Sequence, residues 1–509
     1  MRAKTEGISH RGEGVARING KATFIPYAIP GEEVEVEILQ EHKRFARGKL
    51  TGVYTASPDR RQPVCPAYYD CGGCAYQHID YVRELDLKRN MVKETLKRLG
   101  GIEVEVLPVI GMEEPYRYRN KVVWHTAMVN GKMQMGFYRE GSHDLIPLGG
   151  CTLIHEDMEQ VQNSLATNLS TLEVQPGTEI SLRRSSWTGH MSLVLSGKCN
   201  NETLSAWASF LSANLSLHVN QGSKIKTMQG EPFLEEQLCG LTFRVSPLAF
   251  LQVNHQQTEK LYQLIHQYAA LSGKETVLDE FCGIGTITLS LAQHASQVVG
   301  IELYLQAVAD AKQNATINGI QNARFYAGSC EDVITRLNQL FDVVVLDPPR
   351  AGCKVRTIEA VIKTGAPRII YVSCNPSTLA RDLQLFASSG YTVTRVQPID
   401  MFPRTPHVET VVLLSRKNPD DRIEIDLNLD ELDITTVESK ATYEEIRKYA
   451  LKNHNMKVSS LYISQVKRKL GLEVGTNYNL PKSKDARVPQ CPLNKEKAII
   501  EALNHFRMI

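Results

Sequence analysis

Val277-Leu278-Asp279-Glu280-Phe281-Cys282-Gly283-Ile284-Gly285-Thr286 is a strand running into a glycine turn and then a helix. Glycines at such a turn let the backbone approach a ligand closely. A second apolar run ends in Gly300-Ile301-Glu302. An acidic residue about twenty positions beyond a glycine turn can hydrogen-bond ribose hydroxyls. A dinucleotide fingerprint needs a third glycine, and this turn lacks it. The spacing suits an adenosine cofactor without a pyrophosphate, S-adenosylmethionine. Ordinary strand-to-helix turns also use glycine, so the weight rests on the turn, Glu302 and the motif that follows them.

Around this stretch, from about residue 255 to 415, strands alternate with helices. The apolar strands fall at 276–279, 298–301, 343–346, 369–372 and 411–414. Such alternation predicts a parallel, doubly wound Rossmann-like sheet. Asp347-Pro348-Pro349-Arg350 directly follows one apolar strand, and an acidic residue at the carboxyl end of such a strand faces the ligand crevice. Tyr371-Val372-Ser373-Cys374-Asn375-Pro376 ends the next. Most lone cysteines are buried and inert. A thiol at a strand end beside a cofactor pocket is a candidate nucleophile. Pro406-His407-Val408-Glu409-Thr410 leads into the last strand. Glu409 is the candidate base and His407 its rival; a lone Glu is otherwise a surface residue.

Upstream, residues 1–58 alternate apolar and polar positions over 21–27 and 33–39, with Pro30-Gly31 between them. This predicts a small antiparallel barrel. Lys43, Arg44, Arg47 and Lys49 form either a solvated loop or a grip on RNA. Residues 59–250 read as a mixed α+β domain: a helix over 81–99 stopped by Gly100-Gly101, then paired strands at 121–127 and 132–138. Residues 251–416 hold the alternating sheet. Residues 417–509 begin with an acidic stretch over 418–440 and end in basic helical segments at 442–452 and 459–470. Lys467, Arg468 and Lys469 make that pair either a nucleic-acid contact or a plain helical cap.

The chain carries 11 cysteines and a formal net charge of +2. That charge rules out a uniformly basic coat for nucleic acid, so any RNA contact must come from local patches. An odd cysteine count without a signal peptide argues against a disulfide framework. No run has the apolar length of a membrane span. A cytoplasmic protein is expected, with no membrane or DNA partner and a monomeric state. Cys65, Cys71 and Cys74 form a tight C-x5-C-x2-C cluster with Gly72-Gly73 inside it, and Cys151 follows Gly149-Gly150. Such thiols suit one metal centre, zinc or iron–sulfur; spacing does not separate them.

With these motifs in order, the sequence resembles the RNA uracil-5-methyltransferases, which include enzymes for transfer RNA and for large-subunit ribosomal RNA. The resemblance runs from about residue 5 to 415. It rests on Phe250-Leu251-Gln252-Val253-Asn254, the 279–285 turn, Asp347 to Arg350, Ser373 to Pro376, and His407 to Glu409. It implies Cys374 as nucleophile and Glu409 as the base that removes the carbon 5 hydrogen. It implies that Gln252, Phe281, Glu302 and Asp347 hold S-adenosylmethionine. Thr286 and Ser329 stand where some relatives carry Asn. The cysteine pattern is similar to that of the ribosomal branch, which implies a [4Fe-4S] cluster on Cys65, Cys71, Cys74 and Cys151. The barrel is similar to a TRAM domain, an OB-like RNA-binding module.

The expected activity is methylation of a uridine in 23S ribosomal RNA. A transfer RNA uridine is the alternative target, and a non-catalytic iron–sulfur RNA-binding protein is an alternative class. A radical S-adenosylmethionine enzyme would usually carry C-x3-C-x2-C, which this chain lacks.

Overall fold

Strands β1 (Arg2–Ile8), β2 (Gly14–Ile18), β3 (Lys21–Ile25), β4 (Glu33–Glu41) and β5 (Phe45–Thr55) close a barrel in the order β1-β2-β3-β5-β4. The computed structural model describes residues 1–416 except 140, 148, 210–213 and 223, and then residues 443–454, 456–470 and 491–505. The barrel is not wholly antiparallel as expected, because β3 pairs with β5 in parallel. A small core of Ala16, Ile25, Val34 and Val36 fills it. Lys43, Arg44 and Lys49 are exposed, whereas Arg47 pairs with Glu13 at 2.9 Å.

Helix α1 (Tyr81–Gly100) follows. The Asp80 side chain caps it by accepting from Val82 N, and Gly101 ends it at φ 61°, a conformation that favours glycine. Next come β6 (Lys121–Val129), β7 (Lys132–Tyr138), β8 (Leu145–Pro147), α2 (Glu156–Asn168), β9 (Glu179–Arg184), β10 (Met191–Ser196), α3 (Asn201–Ser209), β11 (Leu215–Asn220) and β12 (Ile225–Gln229). The strands form a seven-stranded sheet, β12-β11-β10-β9-β6-β7-β8. The expected β6–β7 pair is antiparallel. Trp124, Met158, Leu165, Leu182 and Leu193 lie in its core.

The hairpin β13 (Leu234–Leu238) and β14 (Leu241–Val245) leaves this sheet. Its Leu234, Phe243 and Val245 join the core of the following segment. That segment runs α4 (His255–Ala269), β15 (Thr276–Glu280), α5 (Thr286–Ala292), β16 (Gln297–Glu302), α6 (Leu305–Ile317), β17 (Ala323–Ala327), α7 (Cys330–Leu337), β18 (Val343–Leu346), α8 (Val355–Lys363), β19 (Arg368–Ser373), α9 (Pro376–Ser388), β20 (Tyr391–Ile399) and β21 (Glu409–Arg416). The sheet order is β17-β16-β15-β18-β19-β21-β20. α1 packs through Val92 and Leu96 into the core shared with Leu379 and Leu383 of α9.

This sheet departs from the all-parallel expectation. β21 lies between β19 and β20 and is antiparallel to both. The sequence pattern also misses β17 and β20. Both are edge strands with partly exposed positions, so neither reads as a continuous buried run.

Residues 422–509 form a separate unit. Its described helices are α10 (Tyr443–His454), α11 (Ser460–Lys469) and α12 (Leu493–His505), with Ile446, Ile463, Val466, Ile499 and Leu503 in a common core. The acidic stretch expected at 418–440 lies outside the described residues. The expected basic end of α11 is only partly displayed: Lys467 is buried and Lys469 pairs with Glu496 at 2.5 Å, while Arg468 is exposed.

Candidate active site

The turn after β15 begins with Phe281 at φ 65°, a left-handed conformation that costs a non-glycine residue strain. Gly283 and Gly285 follow at φ 54° and 86°, and they serve different purposes. A Cβ on Gly285 would come within 3.1 Å of Ala311 Cβ and the Phe325 ring, so internal packing requires that glycine. A Cβ on Gly283 would meet nothing within 4 Å. Gly283 is therefore the glycine that borders open space, where a ligand can approach the backbone.

Glu302 ends β16 beside this turn. Its carboxylate accepts from Gly283 N at 3.1 Å and from Tyr304 N at 2.9 Å. Each carboxylate oxygen keeps a further lone pair for a ribose hydroxyl. Asp279, buried on β15, accepts from Thr288 Oγ1 at 2.5 Å, while its Oδ1 has no partner. Burial, opposed by that hydrogen bond and reinforced by Asp347 and Glu302, pushes its carboxyl up to about 7. Asp279 received no role from the sequence, although it stands inside the quoted motif.

Thr286 Oγ1 hydrogen-bonds the Tyr262 hydroxyl of α4 at 2.6 Å. Ser329 caps α7 and donates to Asp332 Oδ2 at 2.7 Å. Both positions that depart from the family's Asn are thus engaged within the fold. Gln252 is buried on the segment leading into α4, and its carbonyl accepts from Asn120 Nδ2 at 3.2 Å. Arg183 holds the same segment by donating to Leu251 O and Ala249 O, both at 3.3 Å.

Cys374 immediately follows β19, and Glu409 opens β21. The antiparallel register Ser373↔Thr410 brings these two residues to the same edge of the sheet. Asp347, directly after β18, joins them. Burial pushes the Cys374 thiol up to about 12, with Glu409 adding to the rise, Arg350 opposing it and Asp347 adding again. Burial and then Asp347 hold the Glu409 carboxyl well above the usual carboxylate range, with Arg350 again opposing. Burial raises Asp347 to about 7.

Arg350 is the cation of this group, a role its place in the Asp-Pro-Pro-Arg motif had not specified. It donates through Nη2 to His407 Nδ1 at 2.9 Å, and Asn375 Nδ2 donates to Arg350 O at 3.1 Å. Burial and the Arg350 charge lower His407 to about 4. The imidazole is therefore neutral near pH 7, with Nδ1 already accepting a hydrogen bond from Arg350. His407 is thus tied to Arg350, while Glu409 stands at the sheet edge with Cys374.

Cys65, Cys71, Cys74 and Cys151 line one cavity of about 330 Å³, together with Gln77, Arg119 and Val253. The expected metal site does not take the form of an ion cage. Among the described residues, no group of three or more His, Cys, Asp or Glu side chains is arranged to hold a metal ion. The four thiols line the cavity together and lie close enough to influence one another's charge. The Cys74 thiol accepts from Gln77 Nε2 at 3.3 Å. Burial pushes Cys74 up to about 12, and the Gln77 hydrogen bond and the Arg119 charge oppose that rise only in part.

Residues 217–417 match the model of the tRNA (Uracil-5-)-methyltransferase family, and residues 1–51 match the TRAM domain. An uncharacterized RNA methyltransferase of Listeria innocua is 37% identical over 439 residues, covering 81% of this chain and 96% of the relative. The chain belongs to the RNA uracil-5-methyltransferase family. A second family member, an RNA methyltransferase of Clostridium tetani, is 39% identical over 436 residues, covering 80% of this chain and 95% of its own length. Among solved structures, the Pyrococcus abyssi tRNA (uracil-54, C5)-methyltransferase in complex with S-adenosyl-L-homocysteine aligns with a TM-score of 0.66 at 25% identity. It covers 81% of this chain and 100% of the archaeal one. The two family models thus take in the barrel and the alternating sheet, and leave the C-terminal helices outside them.

Proposed function

We propose that this enzyme methylates carbon 5 of a uridine in 23S ribosomal RNA through a covalent adduct on Cys374. The observation that carries the covalent chemistry is the meeting of Cys374, Glu409, Asp347 and Arg350 at one sheet edge, and the ribosomal target draws on the resemblance of the cysteine pattern to the ribosomal branch. S-adenosylmethionine supplies an electrophilic methyl group when bound. Glu302, Phe281, Gln252 and Asp347 are the residues that would hold it. The open space at Gly283 and the spare lone pairs of Glu302 fit that cofactor.

Uracil carbon 5 is too weak a nucleophile to take a methyl group unaided. The Cys374 thiol first loses its proton to the Asp347 carboxylate, which leaves Glu409 ionised for the later step. Its thiolate then adds to carbon 6, which makes carbon 5 enolate-like and able to attack the methyl carbon. Glu409 next accepts the hydrogen of carbon 5 as a proton. The released electron pair forms the carbon 5–carbon 6 double bond and expels Cys374. A carboxyl held above its usual range is a stronger base when ionised, which suits this step. Arg350 offsets the negative charge that accumulates between Asp347, Glu409 and the thiolate.

We also infer that the four-cysteine cavity holds a [4Fe-4S] cluster. Thiols spread around a cavity suit a group of several atoms better than a single ion. Cys65, Cys71, Cys74 and Cys151 would be its ligands, with a structural role. Iron and acid-labile sulfide in anaerobically purified protein test this, and protein loaded with zinc alone refutes it.

A transfer RNA uridine is the second reading of the target. It draws on the family model's name and on the archaeal enzyme's substrate. The catalytic reading predicts a denaturation-resistant complex with RNA from cells grown in 5-fluorouracil, lost in Cys374→Ala. Absence of any such complex sinks the covalent reading. Mapping methylated uridines in the ribosomal and transfer RNA of a deletion strain separates the two targets. The enzyme is expected to act as a cytoplasmic monomer. No described helix is long and apolar enough to cross a membrane.

A further inference from the structure

Residues 400–408 connect β20 to β21 and deliver the chain into Glu409. The N-terminal half of the chain holds this connection. Lys88 Nζ of α1 donates to Glu84 Oε1 and Asp400 Oδ1, both at 2.7 Å, and to Phe402 O at 3.3 Å. Glu84 Oε1 accepts from the backbone N of Arg404 at 2.8 Å, and Glu84 Oε2 from its Nη1 at 3.3 Å. Tyr81 Oη donates to Asp400 Oδ2 at 2.9 Å, and Tyr118 Oη to Pro403 O at 3.0 Å. Arg404 O accepts from Ala75 N and Tyr76 N at 2.9 and 3.0 Å.

Two features of this arrangement are unfavourable taken alone. Glu84, Lys88, Asp400 and Arg404 are all buried charges, and a buried ion cluster seldom beats a well-packed apolar one. Arg404 also sits at φ 68°, in the left-handed region. Backbone strain of this kind persists only where surrounding contacts over-determine it, and it gathers at functional sites. Here the contacts that enforce it come from Glu84, Ala75 and Tyr76, a few residues before Glu409. Beyond Arg404 the restraint continues. Thr405 Oγ1 donates to Phe402 O at 2.8 Å and accepts from His407 N at 3.3 Å. Cys374 is fixed separately, between β19 and α9.

We propose that Glu84, Lys88 and Arg404 are positioning residues for proton removal, holding residues 400–408 so that Glu409 reaches the hydrogen on carbon 5. The proposal rests on Cys374 as nucleophile and Glu409 as base. In the step concerned, the carbon 5–hydrogen bond breaks and its proton passes to the Glu409 carboxylate. The electron pair forms the carbon 5–carbon 6 double bond, and the carbon 6–Sγ bond breaks with its pair leaving on Cys374. Loosening the loop slows this step and leaves the earlier addition of Cys374 intact.

The test uses the full chain with Glu84→Gln and, separately, the milder Tyr81→Phe. The probes are total RNA from a deletion strain and RNA from cells grown in 5-fluorouracil. With fluorinated RNA, where carbon 5 carries no hydrogen to remove, Glu84→Gln is expected to form the covalent complex as the wild type does. With ordinary RNA its turnover should fall on the order of ten-fold or more, as for a misplaced catalytic group. A methylated protein–RNA complex that survives denaturation should accumulate in Glu84→Gln and not in the wild type. Unchanged turnover, or slower turnover without that complex, overturns the proposal. If Glu84→Gln does not fold, Tyr81→Phe carries the test: the same complex is expected at a lower level, and its absence is decisive against the network. A wild type that forms no complex with fluorinated RNA refutes the covalent mechanism itself, and the proposal falls with it.

Discussion

Replacing Glu280 with Met should remove a distinct share of the stability that the enzyme loses between about pH 6 and 8. Glu280 ends β15, next to the cofactor turn, and is fully buried. Among the described residues no N–H or O–H donor reaches either carboxyl oxygen, and the Cys330 thiol is a weak partner beside them. Burial pushes the group up to about 8, with Cys330 opposing the rise and Glu331 and Asp279 adding to it. Below about pH 4.5 the carboxyl is protonated in both folded and unfolded chains. Between there and its folded value only the folded state keeps the proton, so each pH unit removes about 1.4 kcal/mol of stability. From pH 6 to 8 that amounts to roughly 3 kcal/mol. Asp279 and Asp347, both raised to about 7, titrate in the same window, so the wild-type curve alone does not isolate Glu280. The difference between wild type and Glu280→Met does. Met has a similar volume and no unpaired oxygens, so about 1–3 kcal/mol of gain is expected even at pH 6. Urea unfolding followed by far-UV circular dichroism at several pH values reads both numbers. A constant gap between the two proteins across pH 6 to 9 would refute the reasoning. So would a variant less stable at every pH, since the carboxyl would then have partners worth keeping.

Further outcomes are expected at the thiol, at the glycine turn and at the cysteine cavity. Formation of the covalent complex should speed up with pH through the neutral and alkaline range, because the Cys374 thiol lies far above neutrality at about 12. Arg350→Met should slow that formation by on the order of 10²-fold at pH 7.5, since a cation that opposes the thiol's rise is removed; an unchanged pH–rate profile would show that Arg350 does not tune the thiol. Gly285→Ala should lower stability by about 1–3 kcal/mol, from the close contact with Phe325 and the positive φ. Gly283→Ala, by contrast, should weaken S-adenosylmethionine binding more than stability, as calorimetry of both variants will reveal. Cys71→Ser should reduce bound iron per chain, and iron content equal to wild type would remove Cys71 from the ligand set.

The amino-acid sequence determined the local parts of this enzyme. Apolar runs, the glycine turn and Gly101 after α1 are written in composition and period, because burial and φ angles are settled residue by residue. The strand holding residues 411–414 was legible for the same reason, but its direction was not. Strand direction is decided by the partner across the ladder, and nothing within a strand encodes it. Had β21 run parallel to its neighbours, Glu409 would stand at the far edge of the sheet from Cys374. Its antiparallel insertion between β19 and β20 places the two together. The resemblance had grouped Cys151 with Cys65, Cys71 and Cys74, and the tertiary structure brings all four to one cavity. It placed Arg350 against His407, and it set the buried charges of α1 beneath the loop that leads to Glu409. Each of these joins residues far apart in the chain, and such contacts arise only once separate segments pack. The thiol chemistry of Cys374 was readable as a residue type at a strand end; its electrostatic setting was created by folding.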